Sequence, residues 1–160
     1  MIHERLNYPQ HSPDVFKKLG EATFAIKKGP LEKKLVALVE VRASQINGCA
    51  FCLDMHIKEA RLAGERELRL HHVAAWRESH LFDERERAAL QWTEALTELP
   101  TAGISDEQFA MMKRLFSDAE ISDLTFVIML INAWNRAGIA FKTVPGSADK
   151  AYGLDKANLE

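Results

Sequence analysis

"LEKKLVALVEVRASQINGCAFCLDMH", residues 31–56, is the stretch whose reading decides the fold. Within it "LVALVEV" alone passes for a buried strand, because a short apolar run fits either period. Leu31, Leu35, Leu38 and Val39 keep the longer helical period, which predicts a helix from about Leu31 to Ile46. Asn47-Gly48 breaks it. A further helix is expected from near Cys49 to Gly64, where "RLAGE" reads as a stop. At about 100° per residue, Cys49, Cys52 and His56 share an arc of about 60° on that helix.

The flanking chain carries helical punctuation throughout. Pro13 follows Ser12, and Val15, Phe16, Leu19, Ala22 and Ile26 recur at helical spacing until Gly29. "ERELRLHHVAAW", residues 65–76, reads as another helix. Three more starts have capping-box spacing: Asp83 before Glu86, Ser105 before Gln108, and Ser117 before Glu120. The helix opening at Ser117 should reach Lys142, before Pro145. Its middle, Leu124 to Ala140, is apolar on nearly every face, which suits the centre of a core or a subunit contact. The expectation is an all-α fold of about seven helices in one domain over residues 1–160, with residues 146–160 as a surface tail.

Composition narrows the function. The 160 residues suit one domain with a sizeable core, and 21 Lys+Arg against 23 Asp+Glu call for neither nucleic acid nor an anionic membrane. "MIHERLNYPQHSPD" has no apolar core, so no signal peptide is expected, and "FVIMLI" at 126–131 is too short to span a bilayer. A cytoplasmic, reducing compartment follows as the expectation. There a CxxC pair is catalytic or metal-binding rather than a structural staple.

Three readings of Cys49, Cys52 and His56 compete. Packing alone makes cysteine a small buried hydrophobe, but two at this spacing beside a histidine ask for more. Zinc needs about four ligands; these supply three, and His71 or His72 could complete the set. His71-His72 otherwise reads as one exposed and one partly packed residue of an amphipathic helix. The third reading is redox. Cysteines at i and i+3 can form a disulfide, a helix start favours thiolate, and His56 lies one turn beyond Cys52, where an imidazole can take its proton.

"RASQINGCAFCLDMHIKEAR" resembles the CxxC-xxx-H core of the alkylhydroperoxidase-like, carboxymuconolactone decarboxylase superfamily. The resemblance extends to "RLNYP", "AAWRES", "ERERAALQWTEALT" and "INAWNRAGIAF", and so covers most of the chain. It implies an all-helical domain assembling as trimers or hexamers, and a thiol peroxidase that needs no cofactor or metal. It also implies roles: Cys52 attacks a hydroperoxide, Cys49 resolves the sulfenic acid as a disulfide, and an external dithiol reduces that disulfide. His56 draws the proton from Cys52, through water and a glutamate in many members.

Two positions depart from the family pattern. The relay glutamate's place, twelve residues before the first cysteine, holds Ala37, and the residue before the second cysteine is Phe51 rather than histidine. Glu40, one turn after Ala37, can substitute as the relay or can be an exposed helix residue with no role. The choice of nucleophile also has a physical basis. The helix dipole favours Cys49 by about 0.3–1 kcal/mol, under one pKa unit, whereas a paired imidazole moves a thiol by several. His56 is four residues from Cys52 and seven from Cys49, so Cys52 is the expected attacker. Asn132, Asn135 and Arg136, in "INAWNR", need partners; they form an inter-helix or inter-subunit network or else line the cysteine pocket. The rival functions are a muconolactone-type decarboxylase, which needs no cysteine pair, and a non-enzymatic redox sensor or oligomeric scaffold.

Overall fold

A computed structural model describes residues 3–159, and every regular element among them is helical. The helices are α1 (Tyr8–His11), α2 (Pro13–Ile26), α3 (Lys33–Asn47), α4 (Ala50–Leu62), α5 (Glu67–His72), α6 (Glu84–Glu98), α7 (Asp106–Leu115), α8 (Asp118–Phe141) and α9 (Asp149–Tyr152). Short 3-10 turns span Val73–Glu78 and Leu154–Ala157. The seven long segments expected from periodicity are all helical; α1 and α9, at four residues each, are too short to show a period.

"LVALVEV" is helical because α3 is buried on every side: every residue from Leu35 to Val41 is inside. A continuous apolar run reads like a strand, but here it packs against α4, α6 and α8 at once. Gly48, at φ 71, ends α3 in the left-handed conformation that favours glycine, and its N–H bonds back to Ser44 and Gln45. Only Gly48 and Cys49 separate α3 from α4, so the two helices form a tight hairpin. All three capping boxes close in both directions, at Asp83/Glu86, Ser105/Gln108 and Ser117/Glu120. Each satisfies two amide donors that a helix start leaves open.

One side of α3 packs Leu35 and Val39 against Trp92, Met112, Phe116, Leu124 and Ile128. The other packs Leu38 and Val41 against Leu70, Val73, Trp76, Phe82 and Leu90. The 24 residues of α8 are long and apolar enough to cross a bilayer by length and composition, which "FVIMLI" alone did not suggest. In this fold α8 buries Leu124, Val127, Ile128 and Ile131, while Phe126 and Met129 stay 50% and 56% exposed beside α2.

Two segments differ from expectation. The helix expected over 65–76 stops at His72 and tightens into a 3-10 turn with non-helical geometry at Ala75. Residues 146–159 lie at the surface, but as a fastened segment rather than a loose tail. Leu154 is buried, and the Lys58 ammonium bonds both Asp54 (2.8 Å) and Asp149 (2.7 Å), fastening α9 to α4. The Gly146 amide donates to the same Asp54 carboxylate at 3.1 Å. Few apolar residues mark this segment; long-range ion pairs hold it, and sequence periodicity does not register them. Glu160 lies outside the described residues.

Candidate active site

Cys49 sits at the N-cap of α4, not in its first turn, and its sulfur accepts the Cys52 amide at 3.3 Å. The two Sγ atoms are bonded, with Cα atoms 5.4 Å apart. Both cysteines are buried in a small apolar cluster with Ala43 and Ile131, flanked by Phe51 and Trp134. On α8, Gly138 lies against them. A Cβ there would stand 3.0 Å from the Cys49 sulfur and 3.4 Å from that of Cys52, so a larger residue would crowd the pair.

Beside the disulfide lies a cavity of about 260 Å³, lined by Cys52 and not by Cys49. Phe16, Phe24, Phe51, Trp134 and Tyr8 give it an aromatic wall; Ser147, Ala148 and Tyr152 of the C-terminal segment close another side. Trp134 is held in place by its indole N–H, which donates to Thr23 at 2.9 Å, and by an edge contact with Phe16. Burial, with Tyr152 and Glu4 nearby, pushes the Tyr8 phenol up, so it faces the cavity neutral.

A four-member charge cluster forms the polar end. His56 Nδ1 is 2.8 Å from Glu59 Oε2 and 3.3 Å from Glu40 Oε2. The Lys27 ammonium, at the end of α2, lies 3.1 Å from the same Glu40 oxygen and 3.0 Å from the same Glu59 oxygen. Nδ1 is therefore taken by carboxylates, and Nε2 makes no protein hydrogen bond among the described residues. Burial raises the Glu59 carboxyl, but the bond and charge of His56, together with Lys27, outweigh it and hold it at about 2. Burial opposes the Lys27 ammonium, and Glu40 and Glu59 outweigh that, so its pKa lies above the ordinary lysine value.

The structure thus brings Cys49, Cys52, His56 and Glu40 together. Glu40 is not the exposed helix residue of one reading: it is 5% exposed and faces His56 across the hairpin. Ala37 is buried in the apolar core instead. His71 is exposed beside Glu67, and His72 bonds Ser79 at 3.0 Å, so neither joins the cysteines in a zinc set. Glu40, His56 and Glu59 do place their ligand atoms within 4.8 Å of one another, and the cation among them is the Lys27 ammonium. Asn132, Asn135 and Arg136 form the inter-helix network: Asn47 donates to both asparagine side-chain oxygens, and Asn132 and Asn135 donate to Thr97 and Ser44. Arg136 donates to the Asn132 carbonyl and side-chain oxygens.

Lys27, Glu59 and Gly138 were absent from the sequence expectations. Glu59 had a signal, since it lies at i+3 from His56 on one helix face. Lys27 and Gly138 reach the site only through tertiary packing and had none. Chemically, the arrangement offers a redox-capable sulfur pair at a helix start, an imidazole with one free nitrogen, and a carboxylate sink for a proton.

Known proteins agree with this frame. Residues 12–95 match the carboxymuconolactone decarboxylase family. The uncharacterised protein YdfG of Bacillus subtilis (strain 168) is 34% identical over 139 residues, 87% of this chain and 95% of its own. A crystal structure from Agrobacterium tumefaciens, of a protein of unknown function proposed to be the antioxidant defence protein AhpD, is 39% identical. It superposes with a TM-score of 0.86 over 89% of this chain and 98% of that one. The alkylhydroperoxidase AhpD core of an uncharacterised peroxidase-related protein from Ralstonia eutropha JMP134 shares the fold, with a TM-score of 0.77 at 20% identity, over 88% of this chain and 75% of that one. Such relatives support a peroxidase-related or decarboxylase-type function. With the family match over half its length and a relative 34% identical along most of it, the chain belongs to the carboxymuconolactone decarboxylase family.

Proposed function

We propose that the protein is a thiol peroxidase that reduces organic hydroperoxides through the Cys49–Cys52 pair. One observation carries this reading: Cys52, not Cys49, lines the aromatic cavity, one turn from a histidine whose far nitrogen is held by carboxylates. A substrate entering the cavity meets Cys52 first. In the reduced protein the Cys52 proton passes to His56, and the thiolate attacks the terminal peroxide oxygen. An S–O bond forms as the O–O bond breaks. The leaving alkoxide takes a proton and departs as the alcohol, leaving Cys52 as a sulfenic acid. The Cys49 thiol then attacks the Cys52 sulfur and expels water, closing the disulfide. An external dithiol returns both sulfurs to thiols by exchange. Glu40 and Glu59 orient the imidazole and stabilise its charged form. A decarboxylase would have no use for the bonded cysteines.

The test assigns the sulfurs separately. Cys52→Ser should consume no peroxide even in the first turnover. Cys49→Ser should consume about one equivalent and accumulate a sulfenic acid that dimedone traps at Cys52. Dimedone trapped on Cys49 in the Cys52→Ser protein would reverse the roles. No consumption by the reduced parent protein with a dithiol would remove peroxidase activity altogether.

A further inference from the structure

We propose that Lys27 is a positioning residue of this site: its ammonium holds Glu40 and Glu59 together on Nδ1 of His56 and cancels one of their charges, which leaves the imidazole free to accept the Cys52 proton. The inference deepens the thiol chemistry proposed above and rests on it for its consequence, but the arrangement itself is geometric.

Nδ1 of His56 offers at most one hydrogen, yet two carboxylate oxygens stand at 2.8 and 3.3 Å from it. Oxygens crowded around one nitrogen repel each other unless a cation lies between them. Lys27 supplies it, at 3.0 and 3.1 Å from the same two oxygens. The charge count follows. With Lys27, the two glutamates and the lysine sum to minus one, so an imidazole that gains a proton brings the cluster to neutrality. Without Lys27 the glutamates alone sum to minus two, which favours a proton on His56.

The other titratable groups lining the cavity are Glu4 before α1, Tyr8 on α1, Cys52 on α4 and Tyr152 on α9; α8 lines it with Trp134 and adds none. None of these is cationic, so Lys27 is the one permanent cation lining the cavity among the described residues. It also ties the end of α2 to α3 and α4, which is the purely structural alternative. That alternative predicts lost stability with an unmoved titration.

The experiment titrates His56 by NMR in the oxidised protein, where the bonded cysteines do not titrate and no peroxide is needed. Lys27→Gln keeps a hydrogen-bonding chain of similar length and removes the charge; Lys27→Met removes both. Each should raise the His56 midpoint by about one pH unit or more, a tenfold change in proton affinity. Lys27→Arg should return it to near the parent value. An unmoved or lowered midpoint in folded Lys27→Gln would overturn the proposal and leave Lys27 a clamp. Should the parent protein fail to consume peroxide while the midpoint moves as expected, the peroxidase reading fails and the Lys27 assignment stands.

Discussion

Gly138→Ala should destabilise the protein although it places alanine in a helix. In an unobstructed helix this change is favourable by about 0.8–1.0 kcal/mol. At Gly138 the new Cβ would stand 3.0 Å from the Cys49 sulfur, 3.4 Å from the Cys52 sulfur and 3.9 Å from Phe51 Cδ1. Favourable contact begins at about 3.5–4.0 Å, so the first sulfur must yield by a few tenths of an ångström. It has little room, because Cys49 is bonded to Cys52 and lies between the Gly48 turn and the start of α4. Overpacking of this kind costs about 1–3 kcal/mol, against which the propensity gain leaves a net loss of up to about 2 kcal/mol.

Gly20 is the internal control. It lies within α2, and a Cβ there meets nothing within 4 Å. Gly20→Ala should therefore stabilise by about 0.5–1 kcal/mol. Guanidinium denaturation of the oxidised proteins, followed by far-UV circular dichroism at one protein concentration, measures both. The two variants should differ by about 1–3 kcal/mol, or several degrees in Tm at this chain length. If Gly138→Ala stabilises as much as Gly20→Ala, the close approach of α8 to the sulfurs is wrong.

Two further outcomes are expected. Glu59, held at about 2 against an ordinary 4.5, contributes stability that is fully present above pH 4.5 and lost as pH falls through about 2. Glu59→Gln should therefore flatten the loss of stability between those limits, by about 2 kcal/mol after allowance for partial exposure; parallel urea midpoints for both proteins at pH 7, 4 and 3 would refute this. The exposed Phe126 and Met129, beside the apolar groove between α2 and α8, are proposed to be covered by further copies of the chain. Light scattering should give a trimer or hexamer mass at micromolar concentration, and a monomer mass would refute it.

What was legible in the sequence was local. The capping boxes at Asp83, Ser105 and Ser117 involve residues three apart, and all three close as their spacing predicts. "LVALVEV" resolved correctly because Leu31, Leu35, Leu38 and Val39 set the period over a longer window than the ambiguous run. The Cys49–Cys52–His56 face was readable for the same reason. Lys27 was not: it reaches its carboxylates from the end of another helix, 32 residues before Glu59. The fastening of residues 146–159 was hidden likewise, since Lys58 and Asp149 are 91 residues apart.

Glu40 lies between these cases, and its place follows from the hairpin. Gly48 turns the chain, and Glu40 and His56 are each eight residues from it, one on α3 and one on α4. In antiparallel helices rising about 1.5 Å per residue, positions equally far from the turn stand at the same height. Glu40 is therefore level with His56, and Ala37 lies about 4.5 Å further along α3. Glu40 reaches Nδ1 from the level of His56 at 3.3 Å. Glu59, three residues beyond His56 on its own helix, reaches the same nitrogen at 2.8 Å, and the two carboxylates close on it from both helices. That convergence is what makes a cation necessary, and α2 ends where Lys27 can supply it.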